Sequence, residues 1–587
     1  LKDTTAGTVT NTGTLDIASG GVGVFGENAQ IDFEVDTSTS EGAIGVAASG
    51  TSVISGNIKT GQDSVGVYIL DNDVTFAGAD ITTGNKNGGT SVGILFDSSK
   101  LGAYIVNNVT VNAKDGVGIY LQGTSGTTLD FGGTITTAGT GAVGIYVTTG
   151  TTLDSNNSSF NISNGAVGVY VTSGGTANLG TTGNLTFNFG TGGGTGVYNN
   201  GGNLTLGNNI TVTGSGSLAA TVNGDLTSSG NLTIGEGGTG LLGIYDNGAT
   251  VDKSISNTGN ITAVSGGIGL AATKGTSDPT GVITINNGGI ITASRKTSVS
   301  PFAPSIGIYT DIANVVNTGN INVGSNGIGI YSDYNGVLTS IQNDNITMTG
   351  TDGIGVYLKG VTGGLVSNNI NSTGSKNTGL VLDGVNAVTI NAGIITLKNE
   401  SVGILATNGT TSLIDGIISV GASSDTKSAI GIVANTGSNV TVAGTTTITA
   451  GNGGIGVYAE GAGTTVTITN TGNISVGTNG IYMYSKGAAL TFTGDITADN
   501  RIGIVAAGGS VTANGNSTIT AKNGGIGAYV KNAAPSFTGS NIVVQAGIAE
   551  TNSNPAKYSV GIYYDGVTAF GAAPIITQTG SYTIGMV

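Results

Sequence analysis

NTGNINVGSNGIGIY, residues 317–331, is a sentence that this chain repeats. It returns as NTGNISVGTNGIYMY at 470–484 and, less faithfully, as NTGTLDIASGGVGVF at 11–25. Apolar residues alternate within it, Ile321 with Val323 and then Ile328 with Ile330. Side chains two residues apart share one face of an extended strand, so the stretch reads as two short strands. Gly324, Ser325 and Asn326 stand between them, and glycine and asparagine accept the left-handed angles of a tight corner. On this reading the four aliphatic residues face inward, while Gly329 and Tyr331 face outward.

The middle glycine of the phrase Ile/Val/Leu-Gly-Ile/Val-Tyr/Phe/Leu, followed strictly in some copies and loosely in others, serves as a ruler. It stands at Gly329, Gly355, Gly379 and Gly403, and recurs along the chain at spacings mostly between 21 and 28 residues. Leu218 marks a degenerate copy, Gly243 the next one, and Tyr482 fills the slot once. A second phrase, Asn-x-Gly-x-Ile/Leu, keeps step with it: Ile261, Ile321 and Ile474 end that phrase, Ile58, Ile448 and Ile519 hold the same place, and each stands eight residues before the ruler. No segment carries a helical period with caps. The expected fold is all-β, a right-handed parallel β-helix (β-solenoid) of about 23 coils of roughly 25 residues, continuous over 1–587 as a monomeric rod. One coil alone buries too little to offset the entropy of ordering it, so repetition is the means by which any coil holds.

Composition narrows the chemistry. The chain has 108 glycines, 9% charged residues, a net charge of −15, no cysteine and no histidine. Disulfides, thiolate metal sites and imidazole bases are therefore excluded. No basic stripe suits a nucleic acid, and no apolar run approaches the roughly 20 residues of a membrane helix. GTGGGTG at 190–196 is low-complexity glycine rather than a phosphate loop, and Asp71 with Asp73 reads as a solvated turn. No paired carboxylates stand out for glycoside chemistry. No catalytic residue, metal ligand or cofactor is assigned. LKDTTAG at the start shows no signal-peptide pattern, and TIGMV at 583–587 is one more copy of the phrase, so the chain reads as part of a longer protein.

Two kinds of surface residue are candidates. Tyrosines recur two places after the ruler, at Tyr68, Tyr120, Tyr146, Tyr170, Tyr309, Tyr331, Tyr357, Tyr458 and Tyr563, where they should form an outward ladder. That ladder reads as structural, with a sugar-stacking platform as the alternative. Insertions are the second kind, near 273–281, 294–305 and 546–559. Those at 294–305 and 546–559, with lesser ones at 85–91 and 421–427, open at the corner between the two phrases, and so belong to one edge. Arg295, Lys296 and Phe302 on the first, and Lys557 and Tyr558 on the second, are the candidate partner-binding residues, since arginine and aromatics dominate interface hot spots.

Acidic, cysteine-free coils reading NTGNI-x-VG-x-NGIGIY resemble the passenger region of the giant type V autotransporter adhesins of fusobacteria, in the galactose-sensitive or arginine-inhibitable group. The resemblance spans essentially the whole chain and rests on the repeat itself. It implies a bacterial cell-surface passenger held at the outer membrane by a C-terminal barrel that this sequence does not contain. It further implies attachment to host-cell glycans of the Gal/GalNAc type, to immunoglobulin-type inhibitory receptors and to partner bacteria. A non-binding spacer that displays a tip located elsewhere is the alternative, and a carbohydrate-active β-helix enzyme a more distant one.

Overall fold

The computed structural model describes residues 9–587 apart from 72, 85–88, 98–101, 124–125, 208, 215, 247, 295–303, 334–339, 516, 538, 552–554 and 567–573. The chain is all-β, a solenoid of parallel stacked coils with about 21 turns at a spacing near 25 residues. Among the described residues 23 strands carry the phrase, and 23 such strands enclose fewer than 23 full turns. The chain divides into two compact units, one of the residues up to 292 together with those from 304 to 309, and the other of residues 293 and 294 with those from 310 onward. Each unit is built in the same way.

One coil of the second unit shows the plan. Ile430–Ala434 carries the phrase, Asn439–Val442 follows, and Thr447–Ala450 completes the turn. The next coil repeats it with Ile455–Glu460, Thr465–Ile468 and Ile474–Val476, in parallel and in register at Ile432 with Val457, Val440 with Val466 and Ile448 with Ile474. The middle leg is a third strand that the two phrases do not announce. Ile432, Val440 and Ile448 are fully buried, so each leg contributes to one interior row of stacked aliphatic side chains. The six phrase isoleucines, from Ile58 to Ile519, all lie in that core.

The corner before the phrase works as its residues predict, with one refinement. Asn326 takes φ 56° there, and Asp352, Lys376, Glu400 and Asn479 hold the same place in their coils at 56°, 63°, 59° and 58°. Asn326, not Gly324, supplies the left-handed residue of the first corner.

The facing of the phrase differs from strict alternation. Along Ile354–Lys359 the pattern is half-buried, buried, buried, half-buried, buried, exposed, so Gly355 and Val356 both face the interior. The pairing with the next coil passes from Ile354–Thr378 to Val356–Leu380 and skips the glycine. A Cβ on Gly355 would meet buried Ile370, and one on Gly329 would meet buried Ile346. The ruler glycine is therefore on the core side, not beside the tyrosine. The backbone slips by one residue there; the first aliphatic residue becomes half-buried at Ile354, whereas Ile328 stays buried as its alternation predicts.

One copy is also re-registered. Leu241 pairs with Ala219 and with Leu270, which places Gly240, not Gly243, in the ruler slot. Tyr245 is consequently buried; it fills the space above Gly243, and its hydroxyl donates to the Gly224 carbonyl at 3.2 Å.

Candidate interaction surfaces

Because the phrase strands are in register, residues two places after the ruler stack coil upon coil. In the first unit Tyr120, Tyr146, Tyr170 and Tyr198 form an unbroken column with ring centroids 5.2, 5.0 and 5.2 Å apart and interplanar angles of 12°, 2° and 28°. Tyr68 is half-buried between Ala47 and Leu95, and Tyr309 is also half-buried. In the second unit Tyr331 with Tyr357 is tilted by 46°, Tyr458 with Tyr484 meets edge to face at 89°, and Tyr529 with Tyr563 stacks at 6°. Parallel rings at these separations turn their faces to one another, as offset stacking favours. What the middle of such a column presents to solvent is ring edges and phenol oxygens, while the last ring, Tyr198, has Ala220 as its neighbour in the next coil.

The second unit adds charges two places beyond the tyrosines. The Lys359 ammonium donates to Asp333 at 3.0 Å, and Asp383 accepts from the Tyr357 hydroxyl at 2.6 Å. Lys486 donates to Glu460 at 2.7 Å, while Glu460 also accepts from Tyr458 at 2.9 Å. Burial, and then the hydrogen bonds to the neighbouring carboxylates, push the Tyr357 and Tyr458 phenols well above their ordinary range. The Lys486 and Tyr458 hydrogen bonds hold the Glu460 carboxyl below its usual value. These groups are held by one another through hydrogen bonds, which suits a structural ladder.

The insertions are distributed over two corners. Arg295, Lys296 and Phe302 lie outside the described residues. Lys557 and Tyr558 are both exposed: Lys557 exchanges two backbone hydrogen bonds with Ile548, at 2.8 and 2.9 Å, and the Tyr558 ring meets Tyr582 edge-on at 5.7 Å. The segment at 421–427 precedes the phrase strand Ile430–Ala434, as expected, but it lies back along its edge. Lys427 reaches Asp352, three coils earlier, at 3.8 Å. Residues 275–282, by contrast, follow the phrase strand Ile268–Lys274, so this insertion belongs to the other corner. Among the described residues no group of acidic side chains could hold a metal ion, and no helix is long and apolar enough to cross a membrane.

Sequence reading missed one feature. A polar cleft of about 560 Å³ opens between residues 201–205, 223–227 and Lys253. The signal was present in the letters: this is where the phrase loses its glycine at Leu218 and is displaced by three residues in the next copy. The chain matches no protein-family model and no curated protein.

Proposed function

We propose that this chain is the displayed solenoid of a bacterial surface adhesin, exported across an outer membrane and attaching to host cells and to other bacteria. Glycans or immunoglobulin-type inhibitory receptors are the host ligands of this reading. The observation that supports it is the outer side of the stacked strands, where small hydroxyl and amide side chains repeat from coil to coil, as Thr128, Thr152 and Thr176 do and as Asn161 and Asn188 do, the latter hydrogen-bonded at 2.9 Å. A periodic, hydrogen-bonding and weakly charged surface can hold a partner over many coils without transforming it. The test is adsorption of the purified chain to host cells and to mixed bacteria, followed by capture of the bound surface molecules. Saturable attachment and a recurrent captured ligand are expected; absence of attachment to every cell type overturns the reading.

A second reading, a spacer that binds nothing itself, is favoured by the stacked column Tyr120, Tyr146, Tyr170 and Tyr198, whose inner ring faces are turned to one another. The same adsorption measurement separates the two.

A further inference from the structure

The step that makes the polar cleft comes from unequal corners in consecutive coils. After the strand Ser217–Val222 the chain needs only three residues to reach Leu226–Ser228, and Asn223 turns that corner with φ 51°. The next coil spends seven residues, 246–252, between Thr239–Tyr245 and Lys253–Asn257. A short corner beside a long one leaves a recess. Buried Tyr245 braces its floor through the hydrogen bond to Gly224.

The groups around the recess are held in place. Asp225 accepts from the Ser254 backbone N–H at 2.7 Å and from the Ser254 hydroxyl at 3.3 Å, and its other oxygen lies 3.5 Å from the Lys253 ammonium. Lys253 is only 21% exposed, while the carboxylate of Asp225 is 57% exposed and open to a ligand. Asn223 is locked to Asp246 by two hydrogen bonds of 2.6 and 2.9 Å. Asn203, Thr205 and Thr227 are exposed on the strands of the wall. One fixed carboxylate, one fixed ammonium, an amide and two hydroxyls make a set that both donates and accepts, with no net charge and no aromatic wall. Such a set recognises neighbouring hydroxyls rather than an ion or an apolar face, and the volume lies within the usual range of ligand sites, roughly 300–1,000 Å³.

We infer that this cleft is a saccharide subsite for an uncharged hexose unit, with Asp225 accepting from adjacent sugar hydroxyls and Lys253 and Asn203 donating. The inference rests on the adhesin reading and gives it a location. The test uses the full chain, together with Asp225→Ala and Thr227→Arg, on an immobilised panel of neutral oligosaccharides, with thermal melts of all three proteins. Thr227 is exposed on its strand, so arginine there fills the recess without entering the core and serves even where Asp225→Ala does not fold. Binding to at least one neutral saccharide, weakened about tenfold or more in the folded variants by the loss of charge-assisted hydrogen bonds or by blockage, is the expected result. Absence of saccharide binding by the unaltered chain, or folded variants that bind as it does, overturns the site. If the chain then still attaches to cells, the adhesin reading survives without this cleft; if it attaches to none, both fall.

Discussion

A Cβ on Gly355 would lie 2.6 Å from the Gly379 carbonyl oxygen and 3.0 Å from two atoms of Ile370. The glycine is not in the left-handed region, so the demand at this slot is for space, where the backbone slips toward the core. Gly355→Ala must push two coils apart, and overpacking of this kind costs roughly 1–3 kcal/mol. A lowered melting temperature with an unchanged β-sheet spectrum is the expected outcome. Tyr482 shows how the slot is filled when it is filled: its hydroxyl donates to the Thr497 carbonyl at 2.9 Å, and the ring is buried. Ala387 poses the opposite problem. It is exposed and holds φ 53°, an angle that an alanine side chain resists and glycine does not. Ala387→Gly should raise stability by roughly 1 kcal/mol, read as a shift in the urea midpoint.

The tetrapeptide NTGN, with which the reading began, folds in two ways at the level of the strand. At 317–320 the strand Asn314–Asn317 brings Asn317 inside, where its amide donates to Gly319 at 3.1 Å and to Asn343 of the next coil at 2.7 Å. Asn257 and Asn287 form the same kind of rung, at 2.8 Å, in the first unit. At 470–473 the preceding strand ends at Ile468, two residues too early for that phase. The letters become a 3₁₀ turn with Thr471 buried in place of Asn470. A short polar phrase is neutral between these outcomes, and the point at which the preceding strand ends, on Asn317 in one case and two residues before Asn470 in the other, selects one. The tyrosine ladder belongs to this scale as well. Burial raises the phenols of Tyr146, Tyr198, Tyr331, Tyr357 and Tyr458 above the ordinary 10.0. The folded chain thus holds these protons more tightly than the unfolded one. Their stabilising contribution is complete below pH 10.0 and is lost as pH rises through the raised values. Ultraviolet titration should show a fraction of phenols that ionise only above that pH, together with alkaline unfolding; ionisation of every phenol as in free tyrosine contradicts the half-buried ladder.

At the scale of the whole molecule, stability in a stack is carried by neighbours rather than by one central core. Asn317→Ala removes the donors that satisfy Gly319 and Asn343, at a cost of roughly 1–3 kcal/mol. Hydrogen exchange should quicken in the coils around Ile321–Val323 and Ser340–Met348 and stay unchanged around Val117–Leu121; a uniform increase across the chain contradicts nearest-neighbour coupling. The sequence by itself determined the architecture. Period-two alternation inside a repeat of about two dozen residues leaves strands no partner except the adjacent copy, and left-handed corner residues such as Asn326 set where each coil turns. It also determined which positions stack, because register carries one copy onto the next, although Tyr68 falls between Ala47 and Leu95 and not between tyrosines. The tertiary structure alone decided which way Gly355 faces, which glycine between 240 and 243 holds the slot, and where two corners of unequal length open a cleft. Each of those depends on a phase slip or a length difference between neighbouring coils, a relation between chain segments that no single copy of the phrase contains.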